Sequence, residues 1–139
     1  HYIVLYGIDD AIERTKRYID AGAEICFADG IGTREELEKF AKELSGSGAY
    51  LVANMIEGGK TPLIPAKELE QMGFSLVFWA CSAVYTISKA LYDLFGNLAQ
   101  DGTTEKSLDR MIEFSQFNSM IGLDTYKEYE RKYKVDRDD

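Results

Sequence analysis

Ala49-Tyr50-Leu51-Val52-Ala53-Asn54-Met55-Ile56-Glu57-Gly58-Gly59-Lys60-Thr61-Pro62 is the stretch on which the fold turns. An apolar strand ends in a polar residue, and a turn follows that carries a carboxylate, two glycines and a Thr-Pro. An α/β barrel places its chemistry in this way, at the carboxyl ends of its strands. The glycines let backbone N–H groups come close to a ligand, and Pro62 stiffens the exit. Alone, the pattern also fits any strand and turn, so its neighbours have to decide.

Upstream, Ser45-Gly46-Ser47-Gly48 closes a helix that runs to about Leu44. That helix opens at Thr33 with Glu36 three positions on, a capping box. Before it, Glu24–Ala28 reads as a short buried strand ending at Asp29-Gly30. A first helix spans Ala11 to Ala21, capped by Asp9 or Asp10 and ended by Gly22. Tyr2–Tyr6 is a residual apolar piece, either a fourth strand or the loop beyond one.

Downstream, Pro65–Met72 is a short helix closed by Gly73, and Phe74–Ala80 is a third strand. Its nearly continuous apolar residues suit a parallel strand covered on both faces. Ser82 begins a long helix to about Leu98, with Val84, Ile87, Leu91 and Leu94 expected on a buried stripe. Asp101-Gly102 breaks it, and two more helices are expected, about Thr104 to Asn118 and Asp124 to Tyr133.

Strands separated by helices in this rhythm imply right-handed βαβ units and a parallel sheet. Three or four such units are half of an eight-stranded barrel, which leaves open edges unless something covers them. The expected architecture is one partial α/β domain over residues 1–139. It has a half-barrel to about residue 100 and carboxyl-terminal helices over about 104–133.

The 139 residues are 45% hydrophobic and 29% charged, ordinary for a globular domain. Sixteen basic against 24 acidic residues give a net charge of −8, which repels a phosphate backbone and argues against nucleic acid as a partner. No apolar run approaches the roughly 20 residues of a membrane span, and no secretory signal is visible. Cys26 and Cys81 form no disulfide framework and fit a reducing, cytoplasmic setting. The single histidine is His1, so neither a histidine-based metal site nor a Ser-His triad can be built from these residues. Because it begins with His1 and not Met, the chain reads as a trimmed, cleaved or incompletely represented product.

Several stretches together resemble the isocitrate lyase/phosphoenolpyruvate mutase superfamily, in its carboxyl-terminal half. They are Gly7–Arg14, Ala21–Phe27, Ala53-Asn-Met-Ile-Glu-Gly-Gly-Lys-Thr-Pro62, Glu68–Phe74 and Asp101-Gly-Thr103, in order from residue 7 to about 116. The resemblance implies a (β/α)8 barrel with a carboxyl-terminal helix exchanged between subunits of a homo-oligomer. By the resemblance, the aromatic late helices, with Phe114, Phe117, Tyr126, Tyr129 and Tyr133, look like that exchanged element; otherwise they are terminal helices packed on their own barrel. It also implies a Mg²⁺ cofactor whose aspartate ligands lie in the amino-terminal half, so that this chain supplies no metal ligand. A Cys-Gly-His loop and an Arg-Thr-Asp arginine, expected ahead of residue 1, are likewise absent from this sequence.

Asn54 is the strongest candidate: an amide at a barrel mouth can hydrogen-bond a carboxylate or a developing enolate oxygen, or simply cap the strand end. By resemblance Asp29 faces the metal's water shell or the substrate; otherwise it is a turn residue beside Gly30. Glu57 orients substrate, braces the loop or is a solvated turn residue. Gly58, Gly59 and Thr61 can bind a carboxylate through backbone N–H and hydroxyl groups, or just form a turn. Phe27 and Trp79, near strand ends, are pocket wall or core. Lys60 is expected to be exposed, and Ser82 to cap its helix. Tyr85 stands where several family lyases have an arginine, and it cannot make the bidentate charged contact arginine makes.

These readings converge on part of a Mg²⁺-dependent lyase that cleaves a C–C bond of a small 2-hydroxy or 2-oxo acid through an enolate. The alternatives are a non-catalytic half-barrel or assembly subunit, and a P–C bond mutase or hydrolase of the same superfamily.

Overall fold

A computed structural model describes residues 2–134. Two compact units meet within one long helix, between Lys89 and Ala90.

The first unit alternates helices and strands: α1 (Tyr2–Asp20), β1 (Ile25–Phe27), α2 (Arg34–Glu43), β2 (Tyr50–Met55), α3 (Ala66–Met72) and β3 (Leu76–Trp79). The strands form one parallel sheet in the order β1-β2-β3. The three expected strands are therefore present and parallel. Tyr2–Tyr6, expected as a strand or loop, is instead helical and belongs to α1. A short apolar run has no period that separates strand from helix. Gly7 (φ 80°, ψ 176°) breaks α1 into two segments after it, a conformation in which glycine carries no Cβ penalty.

Local chemistry sets the helix ends. The Glu36 amide donates to Thr33 Oγ1 at 3.1 Å, and Glu36 Oε2 accepts from the Gly32 amide at 3.0 Å. The expected capping box is thus formed, with its return arm one residue upstream of the cap. Gly73 adopts the left-handed conformation after α3 (φ 109°), and Phe74 N–H reaches back to the Leu69 carbonyl at 3.0 Å.

Register sorts the side chains onto two faces. Cys26, Leu51, Ala53 and Met55 point into a core shared with Ile12 of α1, Leu37 and Phe40 of α2, and Leu69 of α3. Phe40 and Met55 are 0% exposed. The opposite face carries Ile25, Phe27, Tyr50, Val52, Asn54, Leu76 and Phe78, following the alternation of paired residues. Most of it is open: Ile25, Phe27, Tyr50, Leu76 and Phe78 are all exposed. β3 was expected to be covered on both faces; within the described residues it is largely uncovered.

The long helix α4 (Ser82–Asp101) extends past the expected Leu98, and none of its residues is buried. Val84 and Ile87, expected on a buried stripe, are 55% and 56% exposed; Leu91 is exposed as well and Leu94 half-buried. The apolar period is there, but its first half is left open, while Leu91 and Leu94 line a hollow with Ser107 and Met111. Cys81 lies in the turn before α4, half-buried, and not inside a strand.

The second unit holds the rest of α4, a 3-10 turn (Glu105–Arg110), α5 (Phe114–Met120) and α6 (Leu123–Tyr133). The single helix expected over 104–118 is therefore two elements, with Met111 extended between them (ψ 144°). Its apolar spacing permits a helix, but tertiary anchors override it. Asn97 donates to the buried Ser107 hydroxyl at 3.1 Å, and Arg110 pairs with Asp93 at 3.4 Å. No helix among the described residues is long and apolar enough to cross a membrane.

Candidate active site

The carboxyl ends of the parallel strands hold a small cleft of about 140 Å³, lined by Asp29, Gly30, Asn54, Ile56, Gly59, Lys60 and Thr61. Four residues singled out in the sequence, Asp29, Asn54, Gly59 and Thr61, thus come together. They do so because β1 and β2 are parallel neighbours in register, so the turns after them leave the sheet side by side. Two larger hollows lie along the sheet margins, one beside β1 and one between α3 and β3.

Asn54 sits on the face opposite the helices, paired with Phe78 of β3. Its Oδ1 is buried and has no hydrogen-bond partner among the described residues. A buried acceptor of this kind is costly unless a donor arrives, so the cleft presents an unmet acceptor.

The turn after β2 is closely determined. Gly58 has φ 73°, and a Cβ on Gly59 would come within 3.0 Å of the Ile56 carbonyl oxygen. The Gly59 amide donates to that same carbonyl at 2.9 Å. This amide is consequently held within the turn, and of the expected carboxylate donors it is the one already engaged. Thr61 forms no side-chain hydrogen bond among the described residues.

Glu57 does not line the cleft. Its Oε1 accepts from the Ser82 hydroxyl at the start of α4, while Oε2 is buried without a partner among the described residues. The Ser82 bond, then Glu57's own backbone amide, hold the carboxyl below its usual range against the opposing effect of burial. Next to it, a hydrogen bond with the Cys81 side chain pushes the Tyr85 phenol up, and the Glu57 carboxylate adds to the effect. Burial raises the Cys26 thiol, which makes it a poor nucleophile.

Phe27 and Trp79 are not core, at 46% and 42% exposed, and neither lines this cleft; Phe27 is instead a wall of the larger hollow beside β1, which Asp29 also lines. Phe27 lies on the Asn54 face, its ring 6.0 Å from that of Phe78. Trp79 pairs with Met55 and so shares the opposite face. Lys60, expected to be merely exposed, is exposed and also lines the cleft. The signal for it was its place in the loop, between Gly59 and Thr61.

Mg²⁺ prefers several hard oxygen ligands. Among the described residues no three His, Cys, Asp or Glu side chains lie together, and Asp29 is the one carboxylate lining the cleft. These residues do not make a Mg²⁺ site by themselves.

The family model described as phosphoenolpyruvate phosphomutase matches residues 4–99. The chain belongs to this family. It is 38% identical over 131 residues to the 2,3-dimethylmalate lyase of Eubacterium barkeri, covering 94% of this chain and 44% of the relative. It is 39% identical over 127 residues to the chloroplastic carboxyvinyl-carboxyphosphonate phosphorylmutase of Arabidopsis thaliana, covering 91% of this chain and 37% of that protein. A crystal structure of 2,3-dimethylmalate lyase, a PEP mutase/isocitrate lyase superfamily member, superposes with a TM-score of 0.78 at 28% identity. That superposition covers 94% of this chain and 44% of the lyase. The chain therefore spans less than half the length of the curated relatives it matches, and the superfamily resemblance of its motifs holds.

Proposed function

We propose that this chain is part of a lyase that cleaves a C–C bond of a small 2-hydroxy or 2-oxo carboxylic acid through an enolate. The observation that carries the reading is Asn54: an amide at the carboxyl end of a parallel strand, its buried Oδ1 without a donor, in a cleft with Asp29 and Thr61. A substrate hydroxyl supplies the missing donor, and the amide N–H₂ can hold a carboxylate or enolate oxygen. Thr61 contributes a further hydroxyl. Gly58 and Gly59 give the turn its shape, and Glu57 braces it through Ser82. Phe27 stands on the same sheet face as the substrate cleft; Trp79, on the other face, has a more distant part in this reading. The Mg²⁺ ion implied by the resemblance would take its ligands from outside these residues.

In the same proposal, residues up to about 100 belong to a barrel that further strands complete. Late-helix exchange between copies covers the exposed apolar residues of α4, and the two free cysteines suit the cytoplasm. The open face and unpaired edges of the sheet support the first point, and the exposure of Val84 and Ile87 the second.

The test is turnover: oxaloacetate, 2-methylisocitrate and 2,3-dimethylmalate are each supplied with Mg²⁺ to the full polypeptide its gene encodes. Release of the 2-oxo acid product from any of them supports the lyase. Absence of C–C cleavage with all three removes it. A P–C mutase reading is favoured by the 39% identity to the phosphorylmutase, and it predicts rearrangement of a phosphonate substrate instead.

A further inference from the structure

Lys60 is the one basic side chain among the residues lining the cleft, and it forms no ion pair among the described residues. The carboxylate of the same cleft, Asp29, does not pair with it at salt-bridge distance. The turn that presents Lys60 is held by the Gly59 amide on the Ile56 carbonyl, and a side chain at position 59 would collide with Ile56. The cleft is therefore polarised: an acidic group after β1, a donorless amide oxygen on β2, and a cation with a hydroxyl neighbour beyond it. An anionic ligand is repelled by Asp29 and attracted to the other end.

We infer that Lys60 is a specificity-determining residue that binds a substrate carboxylate, with Thr61 beside it. This rests on the lyase reading above for the ligand's class. It divides the work in the cleft: Asn54 receives a donor from the substrate, Lys60 receives its negative charge. Tyr85, near the start of α4, is a phenol and not a guanidinium, and so offers no competing cation there. A single-cation cleft favours acids that present one carboxylate here, and disfavours those that bring several.

The experiment measures oxalate binding by calorimetry in the full polypeptide, in parallel with substrate kinetics. Lys60→Gln should weaken oxalate by about tenfold or more, the size of a lost hydrogen bond to a charged group. Lys60→Arg should retain most of the affinity, and Lys67→Gln, at an exposed lysine of α3, should match the wild type. Because Lys60 is exposed, the effect should shrink toward about 1 M salt, where screening acts within about 3 Å. In kinetics, Lys60→Gln should raise KM more than it lowers kcat. Equal loss in Lys60→Gln and Lys67→Gln, an unchanged affinity, or no oxalate binding by the wild type overturns the assignment. If cleavage continues in Lys60→Gln with unchanged KM, Lys60 fails while the lyase stands. If oxalate binds through Lys60 but no acid is cleaved, the lyase fails while Lys60 stands.

Discussion

The Ser82 hydroxyl donates to the Glu57 carboxylate across 25 residues of sequence, joining the turn after β2 to the first residue of α4. The turn that forms one wall of the cleft is thereby fixed from outside the cleft.

Breaking that bond should loosen the turn without unfolding the core. Ser82→Ala is expected to speed proteolytic cleavage within residues 56–65 several-fold, with the circular dichroism of the folded state unchanged. The acid response follows from the sign of the shift. Glu57 ionises in the folded protein below its ordinary 4.5, so its contribution to stability is full above that value. It is lost as pH falls through the lowered folded value. Melting temperature followed from pH 5 downward should therefore fall less steeply in Ser82→Ala than in the wild type, and identical slopes would count against the bond.

The two glycines of the turn should respond differently. Gly58→Ala forces a side chain into φ 73° and should cost about 1–3 kcal/mol, with Gly58→Asn milder because asparagine tolerates that region. Gly59→Ala instead drives a Cβ against the Ile56 backbone, so the turn must move and cleft binding should fall more than stability. Urea midpoints and oxalate affinities, measured together, separate the two effects.

Core truncation tests the helix-covered face. Phe40→Ala should destabilise the first unit by about 3–5 kcal/mol and Met55→Ala by about 2–5 kcal/mol, read from urea unfolding followed by circular dichroism. Leu76→Ala, on the open face, should cost far less.

The exposed stripe of α4 predicts association. Val84→Asp with Ile87→Asp should shift the protein to a smaller species in analytical ultracentrifugation. A wild type that sediments as a monomer at every concentration would remove the helix-exchange proposal.

Much of the first unit was legible because its signals are local. Thr33 and Glu36 cap α2, Gly73 ends α3, and alternating apolar strands and helices force a parallel sheet. Asp29, Asn54, Gly59 and Thr61 could be grouped because each follows or ends a strand, and parallel strands bring such positions together. What escaped depends on partners far away or on none at all. The Glu57–Ser82 bond spans two βα units, and the engagement of the Gly59 amide is a matter of turn geometry. Tyr2–Tyr6 has too few residues to show a period. The stripe of α4 has a helix period, but the period alone does not say whether the stripe is buried, and Val84 and Ile87 are exposed. The 3-10 turn at Glu105–Arg110 is set by Asn97 and Asp93, which the spacing of Leu108 and Met111 does not reveal.

An all-parallel sheet has two unlike edges. Among the described strands β1 and β3 lie at the margins, and β1 of another copy could join β3 in the same direction wherever no other strand occupies that edge. Such a contact is head-to-tail and lacks the two-fold symmetry that limits a dimer, so it either closes into a ring by its rotation or grows without end. Whatever occupies those two margins thus determines more than a pocket: it separates a discrete particle from a filament.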